Sequence, residues 1–329
     1  MVKKIALEEH FLCPEFIDYW NPTVAGMPAA KRENLLNRNT DFGEMRLASM
    51  DAAGISRAVL GLAGPGVQQE SDVATAIRNA KSGNDFLAKE IQKRPDRYSG
   101  FAHLPMQDAK AAADELERCV KDLKFVGALA NGFSQVNEPM SARYYDLPEY
   151  LPFWAAMERL DLPFYLHPRN PLPGDLRMYE GHNWLLGPTW AFAVETATHA
   201  LRLMGSGLFD RHPRLKIILG HLGEGLPFNI WRVDNRNGWS NSEHHCPAKR
   251  KMGDYFRENF WLTTAGNFRT QTMIDSITEI GVGHVLFSTD YPFEDVTDAA
   301  VWFDALPFAP ADLERMGRSN ALELFKLPG

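Results

Sequence analysis

Cysteine is scarce in this sequence, and the cysteines present cannot be paired off. Cys13, Cys119 and Cys246 are the three in 329 residues, an odd number with no C-x-x-C spacing. That argues against a disulfide framework and a structural zinc cluster, and it fits a chain kept in a reducing cytoplasm. Positive charge is also in deficit: 35 Lys and Arg stand against 42 Asp and Glu, for a formal net charge of -7. A phosphate backbone needs a basic face, so no nucleic-acid partner is expected. No apolar run approaches the length of a membrane span, and the stretch Ile5-Ala6-Leu7 behind the basic N-terminus is too short for a signal peptide. Neither a membrane partner nor an export signal is therefore expected. Internal repeats, low-complexity tracts and linkers are missing as well. With 45% hydrophobic and 23% charged residues, the composition is that of a globular protein.

What is present is alternation. Short apolar or β-branched runs fall at 3–8, 56–62, 98–104, 125–129, 163–167, 215–219, 260–263 and 284–288. Between them lie helical patterns, among them 72–93, 108–123, 152–160, 190–206 and 270–280, with Asp108 as a cap and Gly281 as a stop. Strictly alternating strand and helix implies a parallel sheet. Eight repeats in this length predict one α/β domain over residues 1–329, closed into a TIM-like (β/α)8 barrel. An open doubly wound sheet is the competing arrangement, but no G-x-G-x-x-G follows the first strand. Two stretches interrupt the pattern and are expected to be irregular loop insertions, lids or walls of a site: residues near 11–40, with several prolines and Trp20, and residues near 170–189, with Pro171, Pro173, Gly181 and Pro188. Residues 252–260 read as a short helix, and 310–325 as a final helix packed on the outside.

A barrel of this kind carries its chemistry at the C-terminal ends of its strands. Strand 1 ends in Glu8-Glu9-His10, where residues i and i+2 share a face, so Glu8 and His10 point together and Glu9 points away. Strand 5 ends at His167, strand 6 is followed by Gly220-His221-Leu222-Gly223-Glu224, and strand 8 runs to Asp290. Imidazole nitrogens with carboxylate oxygens suit a borderline divalent ion. Each residue also has an ordinary reading. Glu8 and His10 could sit at a solvated strand end, His167 in the core, and His221 in a tight turn, while Asp290 could cap the helix after Pro292. Such residues gathered at the same end of four strands make coincidence the poorer account. His103 could line a pocket. His199, His212, His244 and His245 read as structural or solvated, and His182 is open.

These segments resemble the amidohydrolase superfamily along nearly the whole chain, and within it the non-oxidative aromatic-acid decarboxylases. The resemblance is carried by Ile5–Phe11 read as I-A-L-E-E-H-F, by Gly127-Ala128-Leu129-Ala130-Asn131-Gly132, by Leu166-His167-Pro168-Arg169-Asn170-Pro171, by the His221 segment and by Ser288-Thr289-Asp290-Tyr291-Pro292-Phe293-Glu294. The γ-resorcylate (2,6-dihydroxybenzoate) group is the nearest, since the fungal 2,3-dihydroxybenzoate group typically lacks a histidine at the position of His10. The resemblance implies metal ligands Glu8, His10, His167 and Asp290, one Mn²⁺ or Zn²⁺, a homotetramer, and a small aromatic carboxylate as substrate. Many hydrolases of the superfamily bridge two metals with a lysine after strand 4. Here that strand ends Leu129-Ala130-Asn131, so one metal is expected.

The activity so implied is decarboxylation of a hydroxylated benzoate, with no motif demanding an organic cofactor. Asp290 is the family's acid, and a relay through His221 is the alternative route for the proton. Glu224 either orients the His221 ring or caps the helix beginning near Pro227. Asn131, Arg232, Trp190 and Phe293 are candidate substrate contacts, with Phe192 and Tyr291 as further aromatic walls. Arg232 matches a family arginine that reaches a neighbouring subunit's site, or is an exposed helix residue. The competing activities are a mononuclear hydrolase of a lactone or cyclic amide, decarboxylation of 2,3-dihydroxybenzoate or salicylate, and a non-catalytic barrel.

Overall fold

The apolar runs do form the strands. In a computed structural model describing residues 2–239 and 246–328, they are β1 (Lys4–Phe11), β2 (Ile55–Leu62), β3 (Tyr98–His103), β4 (Gly127–Asn131), β5 (Ser134–Val136), β6 (Glu138–Arg143), β7 (Pro163–His167), β8 (Lys216–Leu219), β9 (Phe260–Thr263) and β10 (Val285–Leu286). His244 and His245 lie outside the described residues. Eight strands run parallel in the order β1-β2-β3-β4-β7-β8-β9-β10, a nearly closed barrel. β5 and β6 form a separate antiparallel hairpin in a stretch where the alternation predicts no strand. Helices Val73–Lys93, Ala109–Lys121, Leu151–Leu160, Ala191–Gly205 and Thr270–Ile280 fall on the predicted ones to within two residues. Asp72 and Asp108 cap the first two by accepting from the Thr75 and Ala111 amides.

The barrel interior is filled by alternate strand residues: Ile5, Leu7, Val59, Phe101, Leu129, Tyr165, Ile218 and Leu286. The C-terminal segment joins them, which corrects the expectation of one outer helix. It breaks into Pro310–Glu314, a π-turn at Arg315–Ser319, and Asn320–Phe325, and Leu324 and Phe325 plug the interior, with Phe325 5.7 Å from the Phe101 ring. Residues 11–40 are also not an irregular loop. They contain helices Ile17–Val24 and Ala29–Thr40, with Phe16, Trp20, Val24 and Leu35 buried in the outer core, so their prolines sit at helix starts or are absorbed into a short helix. Residues 170–189 are irregular as expected, a succession of 3-10 turns.

One feature of β1 positions everything that follows. Ile5 and Leu7 face the interior, so strict alternation would bring Glu9 inward too. Instead the register with β2 shifts between Ala6 and Glu9, and Glu8 takes a left-handed backbone, φ 82°. A bulge of this kind inverts the phase of a strand. Glu8 and His10 then face the barrel mouth together.

Acid sensitivity is built into the outer shell. His199 is buried, its Nε2 accepts from the Tyr145 amide at 3.1 Å, and its Nδ1 has no partner. Burial, aided by the Arg202 charge, pushes its pKa down from 6.5 to about 3. The unfolded chain therefore takes up this proton first. The contribution is fully present above pH 6.5 and is lost as pH falls toward 3, by about 1.4 kcal/mol per pH unit. Urea unfolding at pH 7 and pH 5 is expected to show His199→Gln gaining roughly 2 kcal/mol on the wild type over that interval. Parallel losses in the two proteins would refute it.

Candidate active site

The inverted end of β1 meets the ends of β7, β8 and β10. Ligand atoms of Glu8, His10 and His167 lie within 4.8 Å of one another. Glu8 Oε1 is 3.3 Å from His167 Nε2 and 3.5 Å from His221 Nε2. Its Oε2 accepts from the Tyr165 hydroxyl and, at 3.3 Å, from Thr263 Oγ1. His10 Nε2 is 3.1 Å from Asp290 Oδ1 without making a hydrogen bond. The His10 and His167 rings meet edge to face at 4.8 Å. His221 Nδ1 and Glu224 Oε1 are 2.6 Å apart, while the helix Leu226–Asn237 starts after Gly225 with no side-chain cap. Of the two readings of Glu224, the geometry therefore carries the one that orients His221. Asp290 is no helix cap either, since Asp295 caps the helix Val296–Asp304.

The backbone here is strained. Glu8, His221, Glu224 and Asp290 all have left-handed φ, at 82°, 54°, 54° and 65°. Each costs on the order of 1 kcal/mol for a non-glycine residue and persists where surrounding structure enforces it, commonly at functional sites. Gly266 makes room for two of them. A Cβ there would come within 2.9 Å of the His221 ring and 3.4 Å of Asp290 Oδ2, on a backbone with φ 61°.

Charge is divided unequally among these groups. Burial alone would raise Glu8, but the charges of His221, His167 and His10 hold its carboxyl down at about 2. Burial and the neighbouring Glu8 charge push Asp290 up to about 7. Burial lowers His10 to about 4 and lowers His167. Burial opposes the charge on His221, but Glu224 and Glu8 outweigh it and raise its pKa well above the ordinary value.

Glu8 Oε1, both ring nitrogens of His10 and Nδ1 of His167 are buried without hydrogen-bond partners. Such atoms are costly unless something else binds them. Two imidazoles, an ionised carboxylate and the Asp290 carboxylate converging here fit a divalent ion of the Mn²⁺ or Zn²⁺ kind.

The remaining candidates divide. A cavity of about 220 Å³ beside His221 and Asp290 is lined also by Glu224, Gly266, Phe192, Pro188, Asn267 and Glu294. Phe293 packs 5.4 Å from the His10 ring. Asn131 sits opposite His167 in the β4–β7 register, buried, with Oδ1 unpartnered. Trp190 does not line this cavity of its own chain. It stands at the start of Ala191–Gly205, 54% exposed, and Phe192 lines the cavity in its place. Arg232 does not reach the cavity of its own chain, because its helix buries the Leu226, Pro227 and Ile230 face and leaves Arg232 outside. His103 is buried against Phe11, His212 is 3.2 Å from Glu158, and His182 lies exposed beside Trp184. None of the three belongs to the cluster.

A family model described as Amidohydrolase matches residues 21–327. The chain belongs to the amidohydrolase family. This amidohydrolase is 56% identical over 329 residues to the γ-resorcylate decarboxylase of Rhizobium sp. (strain MTP-10005), covering 100% of each chain. It matches the crystal structure of a 2,6-dihydroxybenzoate decarboxylase complexed with 2,6-dihydroxybenzoate at a TM-score of 0.95 and 57% identity, over 99% of this chain and 100% of that one. The dihydroxybenzoic acid decarboxylase of Polaromonas sp. JS666, solved with bound manganese and the inhibitor 2-nitroresorcinol, matches at a TM-score of 0.95 and 55% identity, over 99% and 98% of the two chains.

Two residues of the amidohydrolase's site carry no role in the sequence reading. Tyr165 and Thr263 both hydrogen-bond to Glu8, and to each other at 2.9 Å. Tyr165 was within reach of the alternation rule, since it precedes His167 by two on the same strand face. Thr263 had no such signal beyond ending its strand.

Proposed function

We propose that this amidohydrolase decarboxylates 2,6-dihydroxybenzoate non-oxidatively to resorcinol and CO2, within one barrel domain spanning residues 1–329. The observation that carries this reading is a cavity lined by two proton-bearing groups, Asp290 and His221, which lie against the donor set Glu8, His10 and His167. The full-length identity to γ-resorcylate decarboxylases supports it. Asn131 in place of a bridging lysine favours one metal ion and counts against a two-metal hydrolase.

Loss of CO2 from a benzoate leaves an aryl anion unless the ring carbon bearing the carboxylate is protonated first. Glu8, His10, His167 and Asp290 would hold a divalent ion, which would supply positive charge to stabilise the anionic substrate. The residues do the rest. Asp290, with a raised pKa, holds a proton and transfers it to that carbon. The bond to the carboxyl carbon then breaks, its electron pair restores the aromatic ring, and CO2 departs. His221, kept protonated by Glu224, resupplies Asp290 or delivers the proton itself. Asn131 Oδ1 accepts from a ring hydroxyl, and Phe293 and Phe192 face the ring. No organic cofactor enters.

Mn²⁺ is the native ion in this reading, with Zn²⁺ compatible with the same ligands. The location is cytoplasmic, on the cysteine usage; no described helix is long and apolar enough to cross a membrane. The assembly is a homotetramer in which Arg232 serves a neighbouring subunit's site. Phe228, Trp231 and Trp239, 82%, 72% and 70% exposed around Arg232, support an interface there.

The test is CO2 and resorcinol release by protein stripped of metal and resupplied with Mn²⁺. Metal-dependent release is expected, with kcat/KM for 2,6-dihydroxybenzoate at least about tenfold above 2,3-dihydroxybenzoate and salicylate. No release from any of the three, in protein shown to hold its metal, would transfer the assignment to a lactone or cyclic-amide hydrolase.

A further inference from the structure

We propose that Glu9 is a positioning residue for Asp290, its buried carboxylate taking the place of a backbone ladder at the seam of the barrel. The proposal rests on the reading of Asp290 given above.

The phase inversion in β1 is what frees Glu9. With Glu8 and His10 turned to the barrel mouth, Glu9 lies between β1 and the chain leaving β10. Among the described residues no backbone ladder joins these two strands. The β9–β10 ladder itself ends at Leu286. Beyond it the backbone amides find other partners: Phe287 donates to the Met316 carbonyl at 3.0 Å, and Ser288 to Thr264 Oγ1 at 2.9 Å. Thr289 donates its amide to Glu9 Oε1 at 2.9 Å and its hydroxyl to Glu9 Oε2 at 2.7 Å, and Ser288 Oγ donates to Glu9 Oε1 at 3.3 Å. All three bonds fall on the two residues directly before Asp290. One carboxylate thus fixes both the backbone and the side chain at the point where φ turns left-handed.

The other side of Asp290 is tied to the same strand. The Tyr291 carbonyl accepts from the His10 amide at 2.7 Å. The Tyr291 ring lies under the Arg38 and Arg46 guanidinium groups, at 4.6 and 4.4 Å. Arg46 Nη2 donates to the His10 carbonyl at 2.6 Å. Residues 289 and 291 are therefore held by residues 9 and 10, and the 3.1 Å separation of Asp290 Oδ1 from His10 Nε2 is set by these ties. Glu9 makes no contact with the cavity, so it acts through Asp290 and not on the substrate.

The test compares Glu9→Ala, Glu9→Gln and Thr289→Val with the wild type in two readouts. One is the Kd for Mn²⁺, from the electron spin resonance signal of the free ion. The other is kcat and KM for CO2 release at saturating Mn²⁺. Orienting groups behind a metal site are worth about 10–100-fold in affinity or rate. Glu9→Ala is expected to weaken Mn²⁺ binding about tenfold and lower kcat about 30-fold or more, with KM changed less than about threefold. Glu9→Gln, which keeps one acceptor oxygen for the Thr289 amide, is expected to recover most of both losses. Thr289→Val is expected to lose less than Glu9→Ala and to add little to it in the double variant. Wild-type Mn²⁺ affinity and kcat in Glu9→Ala, or losses in Thr289→Val fully additive to it, would overturn the proposal. Should Glu9→Ala not fold, an undiminished Mn²⁺ affinity and kcat in Thr289→Val would overturn it instead. Failure of the wild type to release CO2 would count against the decarboxylase reading alone, because the Mn²⁺ titration still reports whether Glu9 places the fourth ligand.

Discussion

Asp290→Asn is expected to lower kcat for 2,6-dihydroxybenzoate by at least about 10³-fold, the upper part of the range for a positioned acid, while leaving the fold in place. The choice of asparagine matters. Asp290 has φ 65°, and asparagine is among the few residues that accept that backbone readily, so the variant isolates chemistry from folding. The amide matches the carboxyl in size and can still hydrogen-bond, but it cannot carry a transferable proton. A second readout separates the acid from the ligand. If Asp290 protonates the ring carbon, the reverse step must remove a proton from resorcinol, so the wild type in D2O should exchange the hydrogen between the two hydroxyls with no CO2 present. Asp290→Asn should lose that exchange as well as the forward reaction. His221→Gln, run alongside, places the proton. Exchange that survives in Asp290→Asn and vanishes in His221→Gln would assign the transfer to the Glu224-supported histidine. Activity in Asp290→Asn within tenfold of the wild type would sink the acid role.

The barrel was legible in the sequence because its cause is local. Eight apolar runs between amphipathic helices leave few ways to bury both faces of a sheet, and the strands and main helices follow to within a residue or two, except that β1 runs on to Phe11, three residues past the expected end. The failures have a common origin in non-local packing. Residues 11–40 look like a loop by their prolines, yet Trp20 and Leu35 find a core to bury in only once the barrel exists. Leu324 and Phe325 look like one face of an outer helix, and the open end of the barrel draws them inside. At the site, Glu8, His10, His167, His221 and Asp290 were readable because each ends a strand or starts the loop after one. Where Trp190 and Arg232 point was not readable, because their direction depends on helix phase and loop course. Arg232 points outward for the simple reason that Ile230 and Leu226 point in. Glu9 was read as pointing away from the site, which it does, but by a bulge and not by plain alternation. Its partners, Ser288 and Thr289, lie 279 and 280 residues further along, beyond the reach of any spacing rule.

The same buried charge explains why Glu8→Gln should cost stability both with and without metal, and more with it. Glu8 is fully buried and remains ionised, its Oε2 satisfied by Tyr165 and Thr263 and its Oε1 facing His167 and His221. With a divalent ion bound, the Glu8 charge offsets part of the ion's positive charge. Glutamine removes that negative charge from a buried position, and Mn²⁺ affinity is expected to fall by at least about 100-fold, the upper end of losses seen even for outer-sphere partners. Without metal the Glu8 charge still matters, because it faces a protonated His221, and removing one partner of a buried charge pair is destabilising. Metal-free Glu8→Gln should therefore melt below the metal-free wild type. Binding linkage sets the size of the contrast. Free Mn²⁺ at 1,000 times the wild-type Kd stabilises the folded wild type by about 4 kcal/mol, and after a 100-fold loss of affinity the same concentration contributes only about 1.4 kcal/mol. Thermal melts of both proteins, with chelator and with Mn²⁺, measure all four states. Equal Mn²⁺-induced shifts in the two would remove Glu8 from the ligand set. A metal-free variant melting at or above the metal-free wild type would show that the cost of burying the Glu8 charge, and not its pairing with His221, dominates at this position.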